Sequence, residues 1–536
     1  MHYRRGIVLG ALAFLLAAGT ALSPVAAKSE VFHSTSNATI ESLDSTKYAL
    51  AVSTEAIKAY AEGLYTYGEN NQVTAGMVKG EPQVNAAKTV YTFTLRDAKW
   101  SNGAAVTADD FVYAWQRLAN PKTASSNAYQ IDLIKNGAAV REGKKPVSDL
   151  GVKALSAHKL QVTLTQPAPY LKQYLTGAPF VPINRKYAEA QGSKYGTSAK
   201  HVLANGPFIV KGWTGTNDSW EYVRNPNYWD AKHVKLTKAT VQVVKESATA
   251  ANLFDDKKID YAVLGDSNLQ RYTGKQVLHQ ETTPTIGYIS VNNQRSLTKN
   301  RHLRLALAQA FNKKSLTKNV LKDGSVPLNG LIPTNFAKSP SGQDYRKATG
   351  QLLTYSPAKA KKNWQLAQKE LNKKKVTLEL LVADTPQAKN VGEYLQGQIE
   401  KHLAGVTITI KSVPVAQRIA AEKAGKYDLA FGTWAPDYAD PIDFLSLYRS
   451  SSDLNFSKYT NGSYDKQLTA INTSLATKET QRWQAMQAAE KQLIQQDAAL
   501  APVYQAGVSY LQRTNVKGLH LSPFGSIVNY KYVTVK

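Results

Sequence analysis

A chain of 536 residues is longer than one ordinary hydrophobic core supports, so two or three domains are expected. With 43% hydrophobic and 20% charged residues, its composition is globular and excludes wholesale disorder. The absence of cysteine excludes disulfides, thiolate metal sites and a cysteine nucleophile, and the formal charge of +26 favours anionic surroundings.

The N-terminus reads as a targeting segment. Arg4 and Arg5 precede an apolar run over 7–22, and Val25-Ala26-Ala27 puts small residues at the cleavage positions of a signal peptide. The run is shorter than the roughly 18 to 20 residues a membrane span needs. Residues 1–27 are therefore expected to be a secretory signal. They carry two arginines and no acid, which leaves +24 on the remainder. An exported chain this basic is expected to be secreted and associated with a cell surface or wall by charge. No cysteine is available for a lipid anchor. Where an outer membrane is present, the expectation is the periplasm.

After Ile40-Glu41-Ser42-Leu43-Asp44 comes a tyrosine-containing helix and then Glu62-Gly63-Leu64-Tyr65. The run 89–95, TVYTFTL, alternates and predicts a strand. Thr107 with Asp110 three residues on predicts a capped helix start. Phe111, Val112, Trp115 and Leu118 mark the buried face of that helix, and Pro121 ends it. Trp115 thereby reads as core. Strands are expected at 160–165, 241–245 and 259–262, and near Val181-Pro182-Ile183 the chain leaves an inserted domain. A strand over 284–293 crosses into a new domain, followed by an amphipathic helix after Arg301 and a Gly/Pro loop over 321–333. Strands at 376–382 and 406–411 flank a helix at 392–403, a β-α-β pattern that favours a parallel sheet. A helix is expected at 416–424 and another around Trp483, Met486, Ala489 and Leu493. The strand 503–511 recrosses to the first domain.

Between these last helices lies 427–448, YDLAFGTWAPDYADPIDFLSLY. An apolar run over 429–431 breaks into Gly432, Trp434, Pro436 and Pro441, with Asp437, Asp440 and Asp443 among the breakers. Prolines argue against a regular helix or central strand there. The acids are expected on an irregular loop past a strand end, where functional residues concentrate. Taken alone, the segment reads equally as a packed turn or as a site.

Five blocks in order decide between them. The opening run from Ile40-Glu41-Ser42-Leu43-Asp44 to Glu62-Gly63-Leu64-Tyr65, the WSNG-x3-TADDFVYAWQRLANPKTAS block (100–125), NGPF (205–208), RNPNYWDAKHVKL (224–236) and the 427–448 segment resemble the oligopeptide- and dipeptide-binding proteins of ABC importers, extracellular solute-binding protein family 5. The resemblance implies an α/β, two-lobed, periplasmic-binding-protein-like fold (type II, cluster C), with mixed sheets and an extra inserted domain. Lobe I would comprise 28–72 with 183–283 and 509–536, the inserted domain 73–182, and lobe II 284–508. The implied function is capture of oligopeptides in an interlobe cleft and delivery to a membrane permease. The protein would be a monomer, with no cofactor, no metal and no nucleic-acid partner.

The resemblance also implies a site. Asp437 would meet the peptide's N-terminal ammonium, with Thr433, Trp434, Ala435 and Tyr438 around it. Phe431 stands where some members carry an arginine for short-peptide C-termini, which implies longer or more varied peptides. Asn127 occupies a usual tyrosine position, with Tyr129 two residues on. Lys322 is the nearest basic match for a peptide C-terminus. Asp440 and Asp443 read as a turn residue and a helix N-terminal acid.

No catalytic constellation accompanies these residues. None of the nine histidines is followed by glutamate, and there is neither a G-x-x-x-x-G-K-[ST] loop nor a G-x-S-x-G elbow. Two other readings stay open: a basic surface adhesin on the same scaffold, binding anionic wall polymers or host matrix, and a non-peptide solute.

Overall fold

Two long strands carry the architecture. Leu278–Val291 and Leu500–Gln512 run antiparallel through the middle of an 11-stranded sheet, and each belongs to both of its halves. The computed structural model describes residues 30–536 apart from 523, 525 and 526, and apart from the side chains of 266 and 267. The expected signal segment 1–27 lies outside the described residues.

The crossing pair changes register midway. Residues 278–282 pair with 507–511 and residues 286–290 with 500–505, so Thr283, Pro284 and Thr285 bulge opposite Ala506. Pro284 lacks the amide hydrogen a ladder needs, which suits it to a bulge. On one side of this break lie Tyr261–Leu264, Val31–Ser36, Lys238–Val243, Ser219–Arg224 and Phe208–Lys211. On the other lie Leu429–Trp434, Val376–Ala383 and Val406–Val413. The expected parallel β-α-β is present: Val376–Ala383 pairs in parallel with both Val406–Val413 and Leu429–Trp434. Gly287 permits a close approach on the crossing strand, since a Cβ there would lie 2.5 Å from the ring of Tyr504.

A separate four-stranded antiparallel sheet forms within the inserted segment, in the order Gln83–Val84, Val90–Thr94, Lys159–Thr163, Val152–Ser156. Helix Ala108–Ala119 packs on it. Its capping box is the expected one: Thr107 and Asp110 bond reciprocally at the helix start. Asp110 also accepts from the indole of buried Trp100 at 3.1 Å. Trp115 is fully buried, as expected of a core residue.

Two large apolar cores result among the described residues, beside two smaller clusters. One gathers Phe32, Phe208, Trp220, Tyr222 and Tyr530 beneath the first half of the large sheet. The other runs without interruption from the inserted sheet, around Phe111 and Trp115, into the second half of the large sheet, around Leu378, Leu395 and Leu493. Among the described residues no helix is long and apolar enough to cross a membrane.

Several boundaries differ from expectation. The strands expected at 241–245 and 259–262 are Lys238–Val243 and Tyr261–Leu264. The helix expected at 392–403 starts six residues earlier, as Pro386–His402, with the Thr385 hydroxyl capping it and proline at the first helical position. The largest correction falls on the acidic segment. The strand Leu429–Trp434 continues through Gly432, and Pro441 starts a helix, Pro441–Ser446, rather than breaking one. Proline at the first helical position costs no hydrogen bond, because that amide has no partner inside the helix.

Candidate functional site

Strand Leu429–Trp434 pairs along its whole length with the crossing strand. On its other edge only Leu429 and Ala430 pair, with Leu380 and Leu381 of the parallel neighbour. From Phe431 to Trp434 that edge has no strand partner among the described residues. The chain then turns through Ala435 and Pro436 to Asp437, and Asp440 caps the next helix by accepting from the amide of Ile442 at 2.9 Å. Both oxygens of Asp440 also receive the guanidinium of Arg482, at 2.8 and 2.9 Å, with the arginine nearly buried. This bidentate pair fixes the loop against helix Glu479–Glu490.

The loop faces the inserted segment. Tyr129 donates its phenol to Asp437 at 2.8 Å, and the amide of Gln130 donates to the other oxygen at 3.2 Å. Tyr438 stacks on Tyr170, with centroids 4.4 Å apart, and meets Tyr174 edge-on at 5.2 Å. Tyr174 in turn bonds the carbonyl of Gln130. These contacts enclose a cavity of about 510 Å³, within the range of small-ligand sites. Asp437 lines it together with Trp434, Tyr438 and Asp443.

Burial pushes the Asp437 carboxyl up to about 6, and the Tyr129 hydrogen bond partly opposes this. Asp443 is buried and accepts the backbone N–H of Asp437 at 3.3 Å. Burial first, then the nearby Asp437 charge, holds its carboxyl well above the usual range. Two neighbouring carboxyls partly shielded from water resist ionising together. Among the described residues no group of three or more histidines, cysteines or acids is placed to hold a metal ion.

Asp437, Trp434, Tyr438 and Tyr129 are brought together as the sequence suggested, although Tyr129 is the residue two beyond the usual position. Asn127 is not with them: its amide donates to the carbonyl of Tyr48 at 2.9 Å. The short 3-10 helix Ala128–Leu133 is what swings Tyr129 and Gln130 inward. Lys322 is exposed at the end of helix Leu316–Leu321, in a left-handed conformation, and does not line the cavity. Phe431 is buried against Tyr504, with centroids 6.2 Å apart, and turns away from the cavity. Thr433 and Ala435 are exposed on the open strand edge and the turn after it.

Sequence reasoning missed Gln130, Tyr170, Tyr174 and Asp443. Asp443 was the most findable, since it is the third helical residue and such acids commonly reach back toward the cap. Here it reaches past the cap to Asp437. Tyr170 and Tyr174, spaced four apart after Pro167 and Pro169, carried a weaker signal. Gln130 carried none.

The family model described as "Bacterial extracellular solute-binding proteins, family 5 Middle" matches residues 72–456. The chain is 31% identical to the "Dipeptide-binding protein" of Lactococcus lactis subsp. cremoris (strain MG1363) over 501 residues, covering 88% of this chain and 90% of that protein. It is 29% identical to the "Periplasmic murein peptide-binding protein MppA" of Escherichia coli (strain K12), covering 89% and 88%. Among solved structures, "Listeria monocytogenes OppA bound to peptide" superposes with a TM-score of 0.81 at 37% identity, covering 95% of this chain and 99% of that one.

Proposed function

The chain belongs to the bacterial extracellular solute-binding proteins of family 5, and from that premise we propose that it captures oligopeptides between two lobes and presents them to the permease of an ABC importer. The observation that carries the reading is Asp437: a carboxylate at the wall of an aromatic cavity, next to a strand edge that lacks a strand partner among the described residues.

A receptor for many peptides must bind what all peptides share. The backbone can add to the open edge at Phe431–Trp434, where Thr433 and Ala435 leave the surface clear. The α-ammonium, protonated below about 8, matches Asp437 in charge. Desolvation offsets much of that charge-assisted bond, so its main effect is to fix where residue one sits. Trp434, Tyr438 and Tyr129 form the walls. We divide the chain at the bulge of the crossing strands: 28–72 with 183–283 and 509–536 as lobe I, 73–182 as the inserted domain, 284–508 as lobe II. Closure about that bulge is a hinge motion. The chain acts as a binding protein and not as an enzyme.

The basic surface supports retention outside the cell by charge. Helix Pro357–Leu371 exposes Lys359, Lys361, Lys362 and Lys369. Its one acid, Glu370, is engaged by Asn300 and His302. Such attachment is lost at high ionic strength, whereas capture in the cleft is not.

Calorimetry with a free and an N-acetylated copy of one pentapeptide tests the main reading. The free peptide should bind at least tenfold tighter, and Asp437→Ala should erase the difference. Equal affinities for the two peptides in the unmodified protein would refute it.

A further inference from the structure

The cavity wall is acidic although the chain carries +26. Asp132, Asp437 and Asp443 line it, against one lining cation, Arg449. Two of these acids have partners. Asp132 receives Arg141 at 3.0 and 2.9 Å, and Asp437 receives Tyr129 and Gln130. Arg449 donates to Thr469 at 3.1 Å. Asp443 differs. It is 7% exposed, and its carboxyl accepts the backbone N–H of Asp437 at 3.3 Å, with the Trp434 side chain beside it. No cation there pairs with it, whereas its neighbour Asp440 has Arg482. The indole N–H of Trp434 faces the Asp443 carboxyl without reaching full hydrogen-bonding geometry.

A buried carboxyl without a cation either keeps a proton or takes its cation from the ligand. A peptide's single α-ammonium carries one positive charge and neutralises one of the two carboxylates. We propose that Asp443 selects peptides whose first residue is basic, with the α-ammonium on Asp437 and the side-chain cation on Asp443. This rests on reading the cavity as the site of the peptide's N-terminal residue.

Three features fit a basic side chain. Asp437 and Asp443 lie on one short stretch of chain, so a ligand residue that reaches one reaches the other. Lysine carries a compact charge on a flexible four-carbon stem, which adapts to that spacing. Trp434, Tyr170, Tyr174 and Tyr438 present aromatic surface to the same space, and a cation gains from lying on such faces. A neutral first residue leaves the proton on Asp443. A basic one replaces that proton, which leaves to solvent.

The test is calorimetry on the mature protein with Lys-Ala-Ala-Ala-Ala and its norleucine-first counterpart, each in two buffers of different ionisation enthalpy. The lysine peptide should bind at least tenfold tighter and release more protons than the norleucine peptide. Asp443→Asn, and Asp443→Ser as a second variant that keeps a polar helix start, should bring the two affinities within about threefold by weakening the lysine peptide. Equal affinities in the unmodified protein overturn the proposal, as does a preference that survives both substitutions. Equal weakening of both peptides also overturns it, assigning Asp443 to support of the Asp437 loop alone. If neither peptide binds, the peptide reading itself fails and this proposal with it.

Discussion

The phenol of Tyr129 donates to Oδ2 of Asp437 at 2.8 Å, joining residues 308 positions apart in the chain. One comes from the inserted segment, the other from the loop after strand Leu429–Trp434. The bond therefore does two things. It closes the inserted segment onto the second half of the large sheet, and it lowers the Asp437 carboxyl against the upward push of burial.

Tyr129→Phe separates these effects from the shape of the wall. The ring remains and the donor is lost, leaving Asp437 with Gln130. Loss of one hydrogen bond to a charged group costs about 1.5 to 3 kcal/mol where nothing replaces it. Gln130 and a bound ammonium offset part of that, so peptide affinity should fall about three- to tenfold. The pH midpoint of binding should also move upward. An unchanged midpoint alongside weaker binding would show that Tyr129 acts only as a wall.

The pH dependence of the unmodified protein follows from Asp437. Its carboxyl is pushed up to about 6 by burial, and an ammonium needs the ionised form. Affinity should hold between about 6 and the peptide's amino pKa of about 8, and fall on both sides. At pH 5 it should be about tenfold weaker than at pH 7, since one unit below the midpoint leaves about a tenth ionised. The peptide-free protein should respond in the opposite sense. A carboxyl raised above its unfolded value of about 4 contributes stability below that value and loses it as pH rises through 6. Asp443, also raised, acts in the same direction. Peptide titrations and urea melts at pH 5 and 7 check both signs, and Asp437→Asn should flatten both slopes.

Much of this frame was legible in the sequence because local and global signals agreed. Thr107 and Asp110 announce a helix start and form it. The alternation over 406–411 announces a strand, and it pairs in parallel as the intervening helix requires. The site was legible only in part. Pro441 was read as a breaker because proline is incompatible with helix interiors, yet at a first helical position it initiates one. Asp443 reads from the sequence as a helix N-terminal acid, and the helix start turns it back toward Asp437. Asn127 held the expected sequence position, but the short 3-10 helix Ala128–Leu133 presents Tyr129 and Gln130 instead. Side-chain direction within so short a helix is set by packing, which spacing alone does not encode.

Gln505 tests whether the bulge is a hinge. It is 1% exposed on the second crossing strand, opposite the register break. Its amide oxygen accepts from the backbone and hydroxyl of Thr334, at 3.0 and 2.7 Å. Its nitrogen donates to the carbonyls of Thr283 and Thr334, both at 3.0 Å. One side chain thus ties the bulge to a third segment. Gln505→Leu removes the partner of four polar groups on half-buried Thr283 and Thr334, where water replaces most of the bonds, and should cost about 3 kcal/mol in urea unfolding, the scale of one group left unsatisfied. If the clamp also holds the bulge in its closed geometry, the variant should show a larger radius of gyration by X-ray scattering when peptide-free, and weaker peptide binding. The ratio of free to N-acetylated peptide affinity should not change, because Asp437 is untouched. Lower stability with unchanged scattering and affinity would make Gln505 a structural clamp and move the hinge elsewhere along the crossing strands.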